Sequence, residues 1–236
     1  MSRKFKLHKR CYGEGYDLYK KATIDLEEGL TVLVGCNGSG KTTMLKQLKE
    51  QLEAKHIPVL LFNNLIDGGS NAVSSACFYN DFQFAATAVC SSEGENIVMN
   101  MGRLASSLRP FIKDGEDIRR KNKMAEAFAS LINGSAEDKQ DEKVEYPNER
   151  WILLDAIDSG LSVDNVVDIK EYLFKTIFAD KGDVSIYIVV SANEYEMARG
   201  EKCFDVYNGK YITFADYEEY RNFILESKRI KEKRYD

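Results

Sequence analysis

A chain of 236 residues, 44% hydrophobic and 30% charged, is long enough to bury the core of one α/β domain carrying a small insertion. The formal net charge of -5 argues against a global basic field that would draw the whole molecule to nucleic acid or an acidic membrane. No apolar run is long enough to cross a bilayer, the first residues lack the apolar stretch of a signal peptide, and Cys11, Cys36, Cys77, Cys90 and Cys203 form no CxxC pair, which disfavours disulfides and zinc; the expectation is a soluble, cytoplasmic protein.

In chain order, Phe5 to Lys9 and Ala22 to Leu26 read as short strands around a tyrosine-rich turn holding Tyr12, Tyr16 and Tyr19. Leu30 to Val34 is an apolar strand that runs into "GCNGSGKTT", after which Met44, Leu45, Leu48 and Leu52 recur at helical spacing. Ile57 to Phe62 is the next strand, with Pro58 suited to a sheet edge. Residues 63–90 carry no clear period. Glu95 to Leu108 predicts a helix that stops at Pro110, and Asp117 to Asn133 predicts a charged helix followed by a polar surface loop. This insertion occupies about 110–148 of an otherwise single domain. Trp151 to Ala156 resumes as a buried strand, Asn165 to Phe178 has helical periodicity, and Val184 to Ala192 is again a strand. Asn208-Gly209 sits between alternating apolar runs as a hairpin signal, and Asp216 to Lys233 closes the sequence as a helix, basic at its tip. Strands alternating with helices give an α/β class with a mainly parallel sheet.

Gly35, Gly40, Lys41 and Thr42 complete G-x-x-x-x-G-K-[ST] between a predicted strand and a predicted helix. The glycines let backbone N–H groups curl around phosphates, with the helix N-terminus behind them. Lys41 reaches the β- and γ-phosphates of a nucleotide, and the Thr42 hydroxyl joins an Mg²⁺ shell. The loop residues Asn37, Gly38, Ser39 and Thr43 belong to the same cradle. In "WILLDAIDSGLS", four apolar residues end in Asp155, a carboxylate at the strand edge where ligands of parallel sheets gather. That places Asp155 on Mg²⁺.

These residues resemble ABC-type P-loop ATPases, including the soluble RecF-like and SMC-like members. "GCNGSGKTT" looks like the family's phosphate loop. "DAIDSGLS" resembles its magnesium Asp followed by S-G-L-D, and "SSEGEN" resembles the S-x-G-[QE] core of its signature, with Ser92, Gly94 and Glu95 at the matching positions. Ser92 and Glu95 equally fit a helix capping box. The resemblance implies ATP and Mg²⁺ as ligands, a P-loop fold with an N-terminal antiparallel β portion, and an ATP-dependent homodimer in which the signature meets the other subunit's γ-phosphate. It further implies an aromatic on adenine, for which Tyr16 is best placed with Tyr12 and Tyr19 as rivals, and a metal-touching glutamine, for which Gln83 is the candidate.

The sequence departs from the family in three places. Ala156 stands where the family has its catalytic Glu. Ser191, Ala192 or Asn193 stands where it has a switch histidine, and Ser162 ends the S-G-L-D loop. Asp158 is a possible substitute carboxylate. The resemblance then implies ATP binding with slow or partner-dependent hydrolysis. Three readings follow: a nucleotide-switched dimer in DNA repair, recombination or defence; a regulatory ATP-binding scaffold; and, disfavoured by the short segment before the signature, the ATP-binding subunit of a transporter. The DNA cue is confined to two basic clusters, Arg3 to Arg10 and Lys228 to Arg234. A protein partner is the alternative.

Overall fold

The computed structural model describes residues 2–9, 16–64, 82–91, 93–116, 146–179 and 181–234. The first two strands, β1 (Ser2–Lys6) and β2 (Thr23–Glu27), pair antiparallel. β1 begins and ends three residues before the expected span, in register with β2 so that Phe5 faces Ile24.

The main sheet holds β3 (Gly29–Val34), β4 (Val59–Asn63), β5 (Glu149–Asp155), β6 (Ser185–Ser191), β7 (Cys203–Asp205) and β8 (Lys210–Ile212), in the spatial order β4-β5-β6-β3-β7-β8. All neighbours are parallel except β7 and β8. β4 lies at one edge, as Pro58 requires: the proline cannot donate to a ladder, but its carbonyl accepts from the Trp151 amide at 3.0 Å. The architecture is therefore a mostly parallel α/β sheet with a separate antiparallel ribbon.

Strand alternation divides the core in two. Leu33, Trp151, Leu153, Tyr187 and Val189 face helix α1 (Lys41–Glu53) and the β1–β2 ribbon. Val32, Val34, Ile152, Leu154, Ile188 and Val190 face α3 (Glu93–Asp114), the segment 163–179 and the C-terminal helix. In α1, Met44, Leu45, Leu48 and Leu52 are fully buried, the stripe that the sequence period predicts. Trp151 stacks on Tyr187 at 4.2 Å between centroids, and Phe5 meets it edge-on at 5.1 Å.

Four expectations change. A short helix, α2 (Phe82–Val89), fills part of the unassigned stretch. α3 runs through Pro110 to Asp114 instead of stopping there. A proline inside a helix costs ~3 kcal/mol, and the continuation buries Phe111 and Ile112, each worth roughly 1.5–3 kcal/mol. Arg150 Nε also caps the helix end, donating to the carbonyls of Phe111 at 3.2 Å and Ile112 at 3.1 Å. The helix expected from Asn165 is α4 (Val163–Asp168), a π-helical turn (Ile169–Phe174) and α5 (Lys175–Ala179) in succession. The β7–β8 turn is four residues long, because Asp205 pairs with Lys210 in register and its carboxylate accepts from the amides of Tyr207 and Asn208. Two further helices are α6 (Tyr195–Ala198), between β6 and β7, and α7 (Tyr217–Glu232), after β8. The expected charged helix over 117–133 and most of the polar loop lie outside the described residues.

Candidate functional site

The site lies at the C-terminal edge of the parallel strands, where the β3–α1 loop closes on itself. Gly35, Gly38 and Gly40 have φ of 154°, 78° and 104°. Gly38 and Gly40 occupy the left-handed region where a side chain is strained, and a Cβ on Gly35 would meet Ser39 Oγ at 2.6 Å. Lys41 opens α1 and folds back over the loop, its Nζ donating to the carbonyls of Gly35 at 2.6 Å and Cys36 at 3.3 Å. Burial lowers the Lys41 ammonium below the ordinary lysine range, against the pull of Cys36, Asp158 and Asp155. Ser39 Oγ is buried and has no partner among the described residues. A cation, a helix N-terminus and an unpartnered buried hydroxyl in one cradle fit an anion.

Asp155 ends β5 and reaches this loop across the sheet. Thr42 Oγ1 donates to Asp155 Oδ1 at 3.2 Å, linking residues 113 apart in sequence. Asn63 Nδ2, at the end of β4, donates to Asp155 Oδ2 at 2.8 Å. Because β6 runs between β3 and β5, its last residue, Ser191, stands between the loop and the carboxylate. The Ser191 hydroxyl donates to Asp155 Oδ1 at 2.5 Å and accepts from the Ala156 amide at 2.9 Å. Asp155 is thus a strand-end carboxylate held by three side chains. Thr42 and Asp155 offer the hard oxygen donors that suit Mg²⁺, which takes one or two carboxylates together with phosphate oxygens.

Ala156 follows with φ of 52°, an unusual value for a residue with a side chain. Asp158 is 3% exposed. Its Oδ2 accepts from the amides of Asn193 at 2.5 Å and Glu194 at 2.6 Å, and its Oδ1 is buried without a partner among the described residues. Burial raises its carboxyl above the usual range, while those amides and the Lys41 charge lower it. Asp158 thus pins the loop after β6 to the loop after β5.

The three tyrosines separate. Tyr19 is 1% exposed, and its hydroxyl donates to the Gly40 carbonyl at 2.8 Å from beneath the loop, which is a supporting position. Tyr16 is half-buried beside Arg234, whose guanidinium lies 5.8 Å from the ring centroid. Tyr12 and Ser92 lie outside the described residues. Gln83 and Gly94 fall within α2 and α3 respectively. Glu95 is exposed and, with Ser91 and Met99, faces Gly160, Leu161 and Ser162 across an open cavity of ≈ 570 Å³. The sequence reading missed Asn63 and the contacts of α7 with the loop. The Asn63-Asn64 pair at a strand end was the one available signal.

A family model described as AAA domain matches residues 10–49, from the tyrosine turn through most of α1. No curated protein matches the chain. Among solved structures, the chain is similar to a nucleotide-free ATP-binding cassette from an ABC transporter, at 15% identity and a TM-score of 0.42 over 96% of this chain and 95% of that one. It is also similar to an ATP-binding cassette of an ABC transporter characterised in a twinned structure, at 16% identity and 0.45 over 100% and 98%. The ADP conformation of an ATP-binding cassette gives 16% and 0.37 over 89% of each chain. Among the described residues, no helix is long and apolar enough to cross a membrane.

Proposed function

We propose that this chain binds ATP with Mg²⁺ in the β3–α1 loop and acts as an ABC-type nucleotide switch whose own hydrolysis is slow or depends on a partner. The observation that carries the reading is the convergence of Lys41, Thr42 and Asp155, with the Thr42 hydroxyl 3.2 Å from the Asp155 carboxylate. When bound there, Mg²⁺ would screen phosphate charge. Lys41 and the loop amides hold the phosphates, and Thr42 and Asp155 supply oxygens to the metal. What would activate a water is missing from its usual places: Ala156 has no carboxylate, and Ser191 is engaged with Asp155. Loss of a general base costs about 10²–10⁴-fold, while positioning and charge stabilisation persist. A regulatory scaffold without hydrolysis is the second reading, favoured by the same Ala156.

The same reading has a second copy of the chain bring its γ-phosphate to Ser92 and Gly94, and the open cavity lined by Ser91 and Glu95, next to them in sequence, and by the Gly160-Leu161-Ser162 loop supports it. An isologous pair of such sites closes into a homodimer. The reading places the chain in the RecF- and SMC-like branch, in the cytoplasm, with DNA repair, recombination or defence as its setting. The DNA component has little left at the C-terminal end. Lys231 and Arg234 bond within the chain, and Lys228 and Arg229 pair with Glu232 and Glu226.

Calorimetry of ATP·Mg²⁺ on wild type and Lys41→Ala tests the binding, which the variant should lose. Mass in solution with and without ATP tests the dimer, which Ser92→Arg should abolish. Equal affinity in wild type and Lys41→Ala removes the reading.

A further inference from the structure

The C-terminal helix α7 lays one face along the phosphate loop. Ser227 and Lys231 are four residues apart and so share that face. The Ser227 hydroxyl accepts from the Cys36 amide at 3.0 Å, and Lys231 Nζ donates to the Asn37 carbonyl at 3.1 Å. Just past the end of α7, Arg234 Nη2 donates to the Leu18 carbonyl at 3.2 Å, and its guanidinium lies 5.8 and 5.5 Å from the ring centroids of Tyr16 and Tyr207. The Lys231 stem packs on the loop as well: a Cβ on Gly38 would lie 3.5 Å from its Cδ and 3.6 Å from its Nζ.

We infer that α7 is a working part of the nucleotide site, with Ser227 and Lys231 as positioning residues for the phosphate loop; this deepens the ATP reading and rests on it. A phosphate loop binds by turning its peptide N–H groups inward, so the peptide groups it turns outward need partners of their own. Ser227 and Lys231 are those partners for the two residues that follow Gly35. Neither touches the reacting atoms. The Lys231 ammonium also adds a second positive charge to that of Lys41 beside the loop, in a place where an anion gains from it. Arg234, two residues past the end of α7, sets its guanidinium 5.8 Å from the ring centroid of Tyr16, the first candidate for stacking on the base.

The test compares ATP·Mg²⁺ affinity, by calorimetry, in wild type, Lys231→Met, Lys231→Arg and Lys41→Ala, with thermal melts in the absence of nucleotide. Losing a charged hydrogen bond that shapes the site predicts about ten-fold weaker binding in Lys231→Met. Lys231→Arg should restore most of that, and the nucleotide-free melting temperature should stay near wild type. Lys231→Met binding as tightly as wild type overturns the inference. So does a weakening that tracks a lowered melting temperature and is not rescued by Arg, since that describes a merely structural residue. If wild type binds no ATP, or Lys41→Ala binds as well as wild type, the ATP reading itself fails, a different result. Hydrogen exchange adds a measure that needs no nucleotide: Ser227→Ala should speed exchange at the Cys36 amide while the β5 amides keep their protection. Unchanged exchange at Cys36 overturns the role of Ser227. Should Ser227→Ala not fold, Lys231→Met on its half-buried turn carries the test.

Discussion

Ser191 Oγ and Asp155 Oδ1 stand 2.5 Å apart at the ends of two adjacent parallel strands, and the same hydroxyl takes the amide of Ala156. One small side chain therefore orients the carboxylate proposed for the metal and satisfies the first peptide of the loop behind it. Ser191→Ala removes both bonds and leaves a buried N–H without an acceptor. The expected loss is roughly 1–3 kcal/mol of stability. Urea denaturation reads it, and a midpoint unchanged from wild type would show that the pair contributes nothing.

Ala156 decides between switch and motor. With no carboxylate after Asp155, steady-state phosphate release by wild type should stay well below about 1 s⁻¹. Ala156→Glu should raise it, by less than the about 10²–10⁴-fold that a full general base supplies, because the end of β6 still offers Ser191. The φ of 52° is not made worse by the change, since alanine already carries a Cβ there. Turnover at ordinary ATPase rates in wild type would mean that another residue acts as base, and the switch reading would fall.

Asp158 gives a pH dependence of defined sign. Its folded carboxyl is raised above the usual carboxylate range, first by burial. A raised acid stabilises the fold while protonated, and that contribution is lost as pH climbs through the folded value. Asp158→Asn keeps an oxygen for the Asn193 and Glu194 amides without the buried charge. It should therefore be more stable than wild type at neutral pH, and the gap should close below the ordinary carboxylate range. Denaturation curves at the two pH values check this. A variant less stable than wild type at neutral pH would show that the attraction to Lys41 outweighs burial.

Gly40 and Gly29 have nearly the same backbone angle, φ of 104° and 106°, in different surroundings. A Cβ on Gly29 would meet nothing within 4 Å, while one on Gly40 would press on the Tyr19 ring and hydroxyl at 3.1 Å. Both alanine variants carry the left-handed strain of roughly 1–2 kcal/mol. Gly40→Ala should lose more than Gly29→Ala, and only Gly40→Ala should also weaken nucleotide binding, because it displaces the support beneath the loop. Equal losses in denaturation would show that Tyr19 yields without cost.

The phosphate loop, Asp155 and the sheet strands were legible because each is a local pattern: glycines at fixed offsets, or an apolar run ending in a carboxylate. Two kinds of feature were not. Pro110 reads locally as a stop, and tertiary burial of Phe111 with the Arg150 cap overrides it. The contacts of Ser227 and Lys231 with Cys36 and Asn37 join residues 191 and 194 positions apart, and no local period encodes such a pairing. The basic tip of α7 reads in the sequence as a cluster of free cations, while Lys231 and Arg234 donate to the carbonyls of Asn37 and Leu18.

The Trp151–Tyr187–Phe5 cluster has an optical consequence. Trp151 is the single tryptophan of the sequence, fully buried on the strand that ends in Asp155. Its indole N–H donates to Glu149 at 2.5 Å. All indole emission therefore comes from one position in one of the two cores, with no second fluorophore of its kind to subtract. A shift of that emission towards the red would report water reaching the layer between the sheet, α1 and the N-terminal ribbon. A steady signal during nucleotide titration would localise any rearrangement to the opposite face, where α3 and α7 pack.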